Sequence, residues 1–245
     1  MTNLVIIPTY NEKENIESIV PAISSLDEKF DILVVDDNSP DGTGATVKQL
    51  QQRYNNLHLI EKPGKMGLGA AYLTGFRWAI EKGYDYIFEM DADFSHNPSD
   101  LIRLLNACRN EGADLAIGSR YISGINVINW PLSRILMSYF ASIYVRTITG
   151  MKIKDTTAGF KCYRRDVLKN ILRYQIKSVG YCFQIEMKFI AWKLGYKIVE
   201  IPIVFTDRRI GTSKMSGGVF NEAFWGVLRM KIRSFFTRYR ISQEA

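Results

Sequence analysis

Short apolar runs alternate with longer amphipathic stretches through the first half of the chain. The apolar runs are Leu4–Ile7, Phe30–Val35, Leu57–Ile60, Tyr84–Met90 and Asp114–Ile117. After the first run, the spacing of one helical face is met by Ile16, Ile19, Val20 and Ile23. Strands that alternate with helices are joined by right-handed crossovers, so this pattern predicts a mainly parallel sheet flanked by helices in a single α/β domain.

The composition allows a sizeable hydrophobic core. The chain has 245 residues, of which 47% are hydrophobic and 23% are charged, and these are ordinary values for a globular domain. Regular apolar spacing in residues 183–194 indicates a core helix. Cys108, Cys162 and Cys182 are odd in number and widely separated, so we expect reduced thiols that serve as small core residues of a cytosolic protein.

Basic residues are concentrated near the C-terminal end. The net charge is +7, and basic residues outnumber acidic ones in the stretch 205–245. Such a surface attracts phosphates, nucleic acid or an anionic membrane, and a solvated tail is the alternative. The N-terminus enters a strand directly, and no stretch has the roughly 20 mostly apolar residues of a membrane span. We therefore expect a chain that has no secretory signal and does not cross a membrane by itself.

Two aspartates one residue apart follow the apolar run Tyr84–Met90. Asp91 and Asp93 thus stand at the carboxyl end of a predicted strand, where open α/β sheets bind ligands. Residues i and i+2 of an extended chain point the same way, and Mg²⁺ or Mn²⁺ is typically held by one or two carboxylates plus phosphate oxygens. The spacing therefore indicates a metal–diphosphate site, and an ordinary turn before Pro98 is the alternative.

Two further turn segments bear on nucleotide binding. The second apolar run is followed by Asp36 and Asp37, and acidic side chains in this position can accept hydrogen bonds from a ribose or a base. The segment Gly64–Gly69 lacks the Gly-x-Gly-x-x-Gly spacing of a dinucleotide fingerprint and follows the third run rather than the first. We expect its glycines to let a helix pack close to the sheet. The chain is therefore interpreted as a nucleotide-binding protein rather than a dehydrogenase.

Several motifs resemble those of inverting family-2 glycosyltransferases with the GT-A fold. The motifs of the first half are Pro8-Thr9-Tyr10-Asn11-Glu12, the segment 34–43 (VVDDNSPDGT) and Met90-Asp91-Ala92-Asp93. Similar to motifs of polyprenol (dolichol) phosphate mannosyltransferases are Gly118–Tyr121, Asn129–Arg134, Asp155–Lys161, Arg208–Gly211, Ser213 and Lys214. The resemblance covers roughly residues 3–218 and implies a GT-A domain at 1–218. We divide it into a nucleotide-binding half (1–120) and an acceptor-binding half (121–218), followed by a basic amphipathic tail (219–245).

The resemblance also implies roles for individual residues. Donor-binding residues would be Pro8, Tyr10, Glu12, Val35, Asp37, Asp91, Ala92, Asp93, Arg120, Arg208 and Lys214. The metal, Mg²⁺ or Mn²⁺, would be held by Asp91 and Asp93, with Ser95 as a further candidate where some family members have Gln. The acceptor phosphate would meet Arg120, Ser133 and Arg134. The residues expected to act in catalysis are Asp91, Asp93, Arg120 and Arg134. His96 would be structural, and Asp155 is a candidate base or sugar contact.

The implied activity is transfer of mannose from GDP-mannose to dolichyl or polyprenyl phosphate, giving a polyprenyl β-mannosyl phosphate and GDP. The acceptor is a phosphate monoester with a second pKa of about 6, so it is already nucleophilic at neutral pH and needs no activating base. Two alternatives stay open: a glucosyltransferase that uses UDP-glucose, and a non-catalytic protein that binds membrane surfaces. No nucleic-acid partner is expected, because no known nucleic-acid module is visible.

Two amphipathic stretches fit a lipid acceptor. Residues 135–145 carry no charge and are flanked by Arg134 and Arg146. One helical face of this stretch would hold Leu136, Phe140, Ile143, Tyr144 and Thr147. The tail 219–239 is a second candidate, since such helices can lie in a membrane interface; core packing is the alternative for 135–145. We expect a peripheral protein on the cytoplasmic face of a membrane, the endoplasmic reticulum in a eukaryote or the plasma membrane in a prokaryote. A small membrane-spanning subunit is a candidate anchor.

Overall fold

Within the residues that the computed structural model describes (1–178, 180–207 and 218–241), the central sheet has seven strands. The strands of this sheet are β1 (Asn3–Thr9), β2 (Asp31–Asp36), β3 (Leu57–Glu61), β4 (Tyr86–Glu89), β5 (Leu115–Ser119), β7 (Lys161–Arg164) and β8 (Ile198–Pro202). They lie in the order β3-β2-β1-β4-β7-β5-β8. A separate parallel pair is formed by β6 (Val127–Ile128) and β9 (Phe205–Thr206).

Helices cover both faces of the sheet. They are α1 (Lys13–Ser24), α2 (Thr43–Leu50), α3 (Leu68–Glu81), α4 (Asp100–Arg109), α5 (Leu132–Thr149), α6 (Arg165–Ile171), α7 (Gly180–Lys193) and α8 (Gly218–Phe236). Strand β1 lies in the middle of the core, and Leu4 and Ile6 pack into one apolar layer while Val5 and Ile7 pack into the other. This alternation follows from the two-residue period of a strand. The first layer is completed by α3, α5, α6, α7 and α8, and the second by α1, α2 and α4.

These observations confirm the predicted mainly parallel sheet flanked by helices. Each predicted strand of the first half is present, and no end is shifted by more than two residues. The predicted core helix corresponds to α7, and the three cysteines are buried, as expected of small core residues. The C-terminal helix α8, which the sequence separates as a tail, contributes Val227 and Met230 to the first apolar layer.

Strand β7 is the strand of the central sheet that the sequence pattern did not predict; β6 and α6, outside that sheet, were not predicted either. Strand β7 runs antiparallel to both neighbours, so that Lys161 lies beside Glu89 of β4 and Ile117 of β5. The stretch 197–205 is divided between β8 and β9. A parallel βαβ pattern carries no signal for an inserted antiparallel strand, and this is why periodicity failed here.

Of the glycine segment 64–69, Gly69 does permit close packing of a helix, although its neighbour is α7 rather than the sheet: an added Cβ would lie 3.0 Å from Cδ2 of Phe183. A Cβ added at Gly64 or Gly67 would meet nothing within 4 Å, so neither glycine is required for close packing. Gly67 instead has a φ of +88°, a backbone conformation that favours glycine. The close approach of α3 to the sheet occurs at Gly75, where a Cβ would lie 2.7 Å from Cγ2 of Ile6.

Helices α5 and α8 expose large apolar side chains. On α5 these include Leu136, Phe140 and Ile143. On α8 they are Phe224, Trp225, Ile232, Phe235 and Phe236. Most of the predicted apolar face of α5 therefore points outward, whereas Tyr144 of that face is partly buried and packs against the core, as the alternative held. Across the described part of the chain, no helix combines the length and apolar character that a membrane crossing requires.

Candidate active site

One large cavity, of about 840 Å³, opens at the carboxyl ends of β1, β2, β4 and β5. Open α/β sheets bind their ligands at this edge. The predicted site residues that line it are Pro8, Tyr10, Glu12, Asp37, Asp91, Ala92, Asp93, Arg120 and Arg134. Among the described residues, those predicted for the site but absent from its lining are Val35, Ser95 and Ser133. Arg208 and Lys214 lie outside the described residues.

Asp91 and Asp93 border this cavity just beyond the end of β4. Asp93 is 8% exposed, and its Oδ1 accepts a hydrogen bond from the backbone N–H of Ser95 at 3.1 Å. Asp93 therefore does form a turn, as the alternative interpretation held, and it borders the same ligand space as Asp91. Carboxylate oxygens of this kind suit a hard divalent cation.

The residues present fit a cation that is held jointly with a ligand. In the described portion of the chain, no group of three or more His, Cys, Asp or Glu side chains could hold a metal ion. Asp91 and Asp93 would supply carboxylates, and a ligand such as a diphosphate would supply further oxygens. The structure does not support Ser95 as a ligand, because its side chain is buried and does not line the cavity.

His96 lies in the cavity wall as a structural residue, in agreement with its predicted role. Its ring stacks on Phe160 with the ring centroids 4.8 Å apart, and its Nδ1 accepts the backbone N–H of Asp91 at 3.5 Å. Burial lowers the pKa of His96 to about 4, despite the opposing effect of Asp93. The imidazole is therefore neutral at pH 7 and can act as an acceptor at Nδ1.

Asp37 and its neighbours form one end of the cavity, where the donor nucleoside is predicted. Oδ2 of Asp37 accepts the backbone N–H groups of Met66 at 3.1 Å and Gly67 at 2.8 Å, just before α3 begins. Oδ1 lies 2.9 Å from Nζ of the buried Lys62. Asp37 thus fixes the glycine loop at the positive end of a helix dipole, and the loop carries Lys65, whose Nζ lies 4.0 Å from the Tyr10 ring centroid.

Asp36 and Val35 do not take part in the cavity. The carboxylate of Asp36 is buried and accepts hydrogen bonds from the hydroxyl groups of Thr9 at 2.7 Å and Ser39 at 2.6 Å. It therefore holds the turn that follows β2. The side chain of Val35 is fully buried in the core, so it cannot contact a ligand in the cavity. Of these two predicted nucleoside contacts, neither side chain is placed for the role.

Arg120 is held by Asp155 and Thr157. Its Nε donates to Oδ2 of Asp155 at 2.7 Å, and its Nη2 donates to Oδ1 at 2.7 Å and to the Thr157 hydroxyl at 2.8 Å. Burial acts to raise the pKa of Asp155, but Arg120 outweighs it and the net pKa lies below the ordinary value. Asp155 is fully buried and remains ionised, so the structure does not support it as a general base or a sugar contact. It is the residue that orients Arg120.

The loop that carries Asp155 is held by two charged side chains that sequence reasoning missed. Glu200 of β8 accepts the backbone N–H groups of Lys154 at 2.7 Å and Asp155 at 2.9 Å. Lys188 of α7 donates to the carbonyl groups of Thr156 at 2.9 Å and Ala158 at 2.6 Å. Because Lys188 is fully buried, its pKa lies well below the ordinary value. The backbone of the loop is therefore fixed from both sides.

A second buried network lies behind the strand that ends at Asp91. Glu89 of β4 is fully buried and accepts hydrogen bonds from the Tyr163 hydroxyl at 2.8 Å and the Gln184 amide at 2.7 Å. It also pairs with Lys161 of β7, whose Nζ lies 2.9 Å from Oε1. Every oxygen of this carboxylate is thus engaged, as a buried charge requires. Gln184 connects this network to the cavity lining.

Arg134 lies at the first turn of α5 and lines the same cavity as Asp37. Its Nη1 lies 2.9 Å from Oδ1 of Asp207, and its guanidinium carbon lies 4.1 Å from the Trp130 ring centroid. Ser133, predicted beside it at the acceptor phosphate, is exposed and does not line the cavity. Arg134 is therefore the predicted acceptor residue that the fold brings to the site together with Arg120.

The cavity continues from its charged centre to an apolar end between α5 and α8. The lining residues of this end are Met137, Phe140, Ala141, Tyr144, Val145, Phe224 and Val227. Tyr144 joins the two helices, because its ring stacks on Phe224 at 4.8 Å and its hydroxyl donates to the Phe224 carbonyl at 3.0 Å. One continuous space thus borders both carboxylates, both arginines and an apolar wall.

Comparisons with known proteins agree with this geometry. The model described as "Glycosyl transferase family 2" matches residues 4–172. The polyprenol monophosphomannose synthase of Mycolicibacterium smegmatis is 48% identical over 97% of this chain and 89% of its own length. The undecaprenyl-phosphate mannosyltransferase of Micrococcus luteus is 46% identical over 94% of this chain and 93% of its own length.

Solved structures share the fold at low sequence identity. Glucosyl-3-phosphoglycerate synthase from Mycobacterium tuberculosis, in complex with Mn²⁺, UDP-glucose and phosphoglyceric acid, gives a TM-score of 0.70 at 16% identity. That match covers 94% of this chain and 79% of the other. A mannosyltransferase from Pyrobaculum calidifontis in complex with GDP-mannose and Mn²⁺ gives 0.58 at 16% identity, over 95% of this chain and 73% of the other.

The sheet order, together with these structural neighbours, defines the GT-A fold. The family match covers more than half of the chain, and both curated relatives are far more than 30% identical to it. The chain belongs to glycosyl transferase family 2. The resemblance inferred from its motifs is confirmed.

Proposed function

We propose that this protein transfers mannose from GDP-mannose to a polyprenyl phosphate, giving polyprenyl β-mannosyl phosphate and GDP. The observation that carries the proposal is the continuous cavity, which joins the carboxylates Asp91 and Asp93 to the apolar wall between α5 and α8. A nucleotide sugar requires the carboxylates, and a lipid phosphate requires the apolar wall. The names of the two curated relatives, a polyprenol monophosphomannose synthase and an undecaprenyl-phosphate mannosyltransferase, support the same substrates.

Asp91 and Asp93 would hold Mg²⁺ or Mn²⁺ together with the donor diphosphate. The cation would stabilise the negative charge that grows on the leaving nucleoside diphosphate. Two structural neighbours were solved with Mn²⁺, which supports a divalent metal. The donor would lie along Pro8, Tyr10, Glu12, Asp37 and Ala92. Arg208 and Lys214 remain predicted donor contacts from the family motif.

The chain's own residues would position the acceptor rather than activate it. Arg134 and Arg120 would bind the acceptor phosphate, whose second pKa of about 6 leaves it largely ionised and nucleophilic at neutral pH. No general base is then needed, and this agrees with Asp155 being fully buried against Arg120. Attack from the face opposite the leaving group inverts the anomeric carbon. Catalysis would consist of positioning and charge stabilisation.

The lipid chain of the acceptor would leave the cavity between α5 and α8 and enter the bilayer. Phe140 and Phe235 are 59% and 73% exposed, and exposed aromatic side chains on basic amphipathic helices favour a membrane interface. We therefore propose a protein peripheral to the cytoplasmic face of a membrane, with α5 and α8 toward the lipid. A small membrane-spanning subunit would be compatible with this surface.

The test is incubation of the wild-type protein with radiolabelled GDP-mannose, undecaprenyl phosphate and Mn²⁺, followed by organic extraction. We expect label in the organic phase, and none when either the lipid or the metal is left out. A parallel reaction with radiolabelled UDP-glucose identifies the sugar. Transfer from UDP-glucose but not from GDP-mannose would identify the protein as a glucosyltransferase. No transfer from either donor, together with metal-independent binding to anionic vesicles, would indicate a non-catalytic membrane-binding protein.

A further inference from the structure

The contacts of Arg134 suggest an exchange of anions at the acceptor end of the cavity. Its Nη1 pairs with the Asp207 carboxylate at 2.9 Å. The two side chains are 19% and 28% exposed, so the ion pair is open to solvent on one side. Trp130 lies under the guanidinium, and both Arg134 and Trp130 line the cavity. An anion that enters this end of the cavity meets Arg134 while Asp207 is bound to it.

Two N–H donors beside this pair are not satisfied by the protein. Nε of Arg134 and Nε1 of Trp130 are buried and have no hydrogen-bond partner among the described residues. A buried donor without an acceptor is unfavourable. Asp207 contacts Arg134 through one oxygen at Nη1, whereas a phosphate monoester offers three terminal oxygens and a larger negative charge. The surroundings of Arg134 therefore have more donors than this carboxylate satisfies.

We propose that Asp207 occupies the place of the acceptor phosphate on Arg134, and that the phosphate displaces it and also accepts a hydrogen bond from Nε1 of Trp130. This inference rests on the proposed function. Arg134 keeps an anionic partner throughout the exchange, so its charge is never left unpaired. The Asp207 carboxylate then acts as an internal competitor that weakens acceptor binding. Trp130 acts in the opposite sense, as an additional phosphate donor.

The experiment measures KM for undecaprenyl phosphate and kcat in three variants, at saturating GDP-mannose. Asp207→Asn removes the competing charge at nearly constant shape. Trp130→Phe keeps an aromatic ring under Arg134 but removes the indole N–H. Asp166→Asn is the matched control, because it changes the net charge equally at an exposed position of α6 that does not line this cavity. Inhibition by geranyl phosphate, a short lipid phosphate, is measured in parallel.

We expect Asp207→Asn to lower the acceptor KM about two- to fivefold, the size expected for a partly exposed ion pair. Its kcat should stay within twofold of the wild type, and geranyl phosphate should inhibit it more strongly. Trp130→Phe should raise the acceptor KM about 10- to 100-fold, the effect of one hydrogen bond to a charged group. KM for GDP-mannose should not change in either variant.

An acceptor KM that is unchanged or raised in Asp207→Asn would overturn the exchange, and so would an equal decrease in Asp166→Asn. An unchanged acceptor KM in Trp130→Phe would overturn the role of its N–H group. These results are distinct from failure of the proposed function, because that failure appears in the wild-type protein as an absence of mannosyl transfer. Circular dichroism of each variant establishes that a raised KM does not reflect unfolding.

Discussion

The donor end and the acceptor end of the cavity are built in different ways. At the donor end, carboxylates at parallel strand ends are fixed mainly by backbone N–H groups and short turns, as Asp37 is by Met66 and Gly67. At the acceptor end, charged side chains hold one another, as in the pairs Arg120–Asp155 and Arg134–Asp207. The donor end is therefore fixed largely by main-chain N–H groups, whereas the acceptor end depends on ion pairs between side chains.

The most severe way to break the donor end is to remove one of its two cavity carboxylates. Asp93→Ala should lower mannosyl transfer by a factor of about 10³, because the growing charge on the diphosphate loses its metal-mediated stabilisation. Steady-state assays with Mn²⁺ measure this. The control is Asp100→Ala, another buried aspartate of the same segment that pairs with Arg103 outside the cavity. Transfer that survives Asp93→Ala would refute the metal site.

The acceptor end should lose stability when its buried ion pair is broken. Asp155→Asn leaves Arg120 without its charged partner, and this should lower the free energy of unfolding by about 3 kcal/mol at pH 7. Asp155 has a lowered pKa in the folded state. Its contribution to the free energy of unfolding is therefore fully present above its unfolded-state pKa and is lost as the pH falls through its folded-state pKa. Urea unfolding should show the difference from wild type shrinking below about pH 4. A difference independent of pH would contradict the assignment.

The surface of the acceptor end can be tested separately from its interior. The double variant Leu136→Asp with Phe235→Asp should reduce partitioning onto anionic vesicles by about 30-fold or more, because each large apolar side chain contributes about 2 kcal/mol when it leaves water. Both residues are exposed and neither lines the cavity. Vesicle sedimentation measures this partitioning. Ile241→Asp is the control, since Ile241 is exposed but lies away from the two helices, beside a different cavity. Equal losses in the control and the double variant would show that α5 and α8 are not the membrane surface.

The smallest effect is expected at the rim of the donor end. Lys65 lies over Tyr10, where it can approach a bound nucleotide. Lys65→Ala should raise the Kd of GDP about threefold at low salt, and the difference should shrink at high ionic strength because exposed charges are screened. Isothermal titration calorimetry at two salt concentrations measures it. Lys82→Ala, an exposed lysine just after α3, should leave the Kd unchanged.

The features that could be predicted from the sequence are those that leave a local pattern in it. The strands of the first half, the aspartate pair and the apolar faces of α5 and α8 follow from local periodicity, and the structure has them where the patterns indicated. Lys188 was missed because a lysine within an apolar helical pattern is normally a solvent-facing residue, and its acceptors are carbonyl groups about 30 residues away in sequence. Glu200 was missed for the same reason, since its partners are backbone N–H groups of a distant loop. Long-range polar contacts leave no periodic signal.

The antiparallel strand β7 sets the width of the catalytic cleft. Neighbouring strands are about 4.8 Å apart, so the insertion of β7 between β4 and β5 doubles the separation of those two strands to roughly 10 Å. Asp91 follows β4 and Arg120 follows β5. The leaving group can therefore be held on the β4 side of the cleft and the incoming nucleophile on the β5 side, with a hexose between them. A sheet with β4 directly beside β5 would bring those two sides too close for a sugar ring. A strand that carries no predicted catalytic side chain thus acts as the spacer of the reaction.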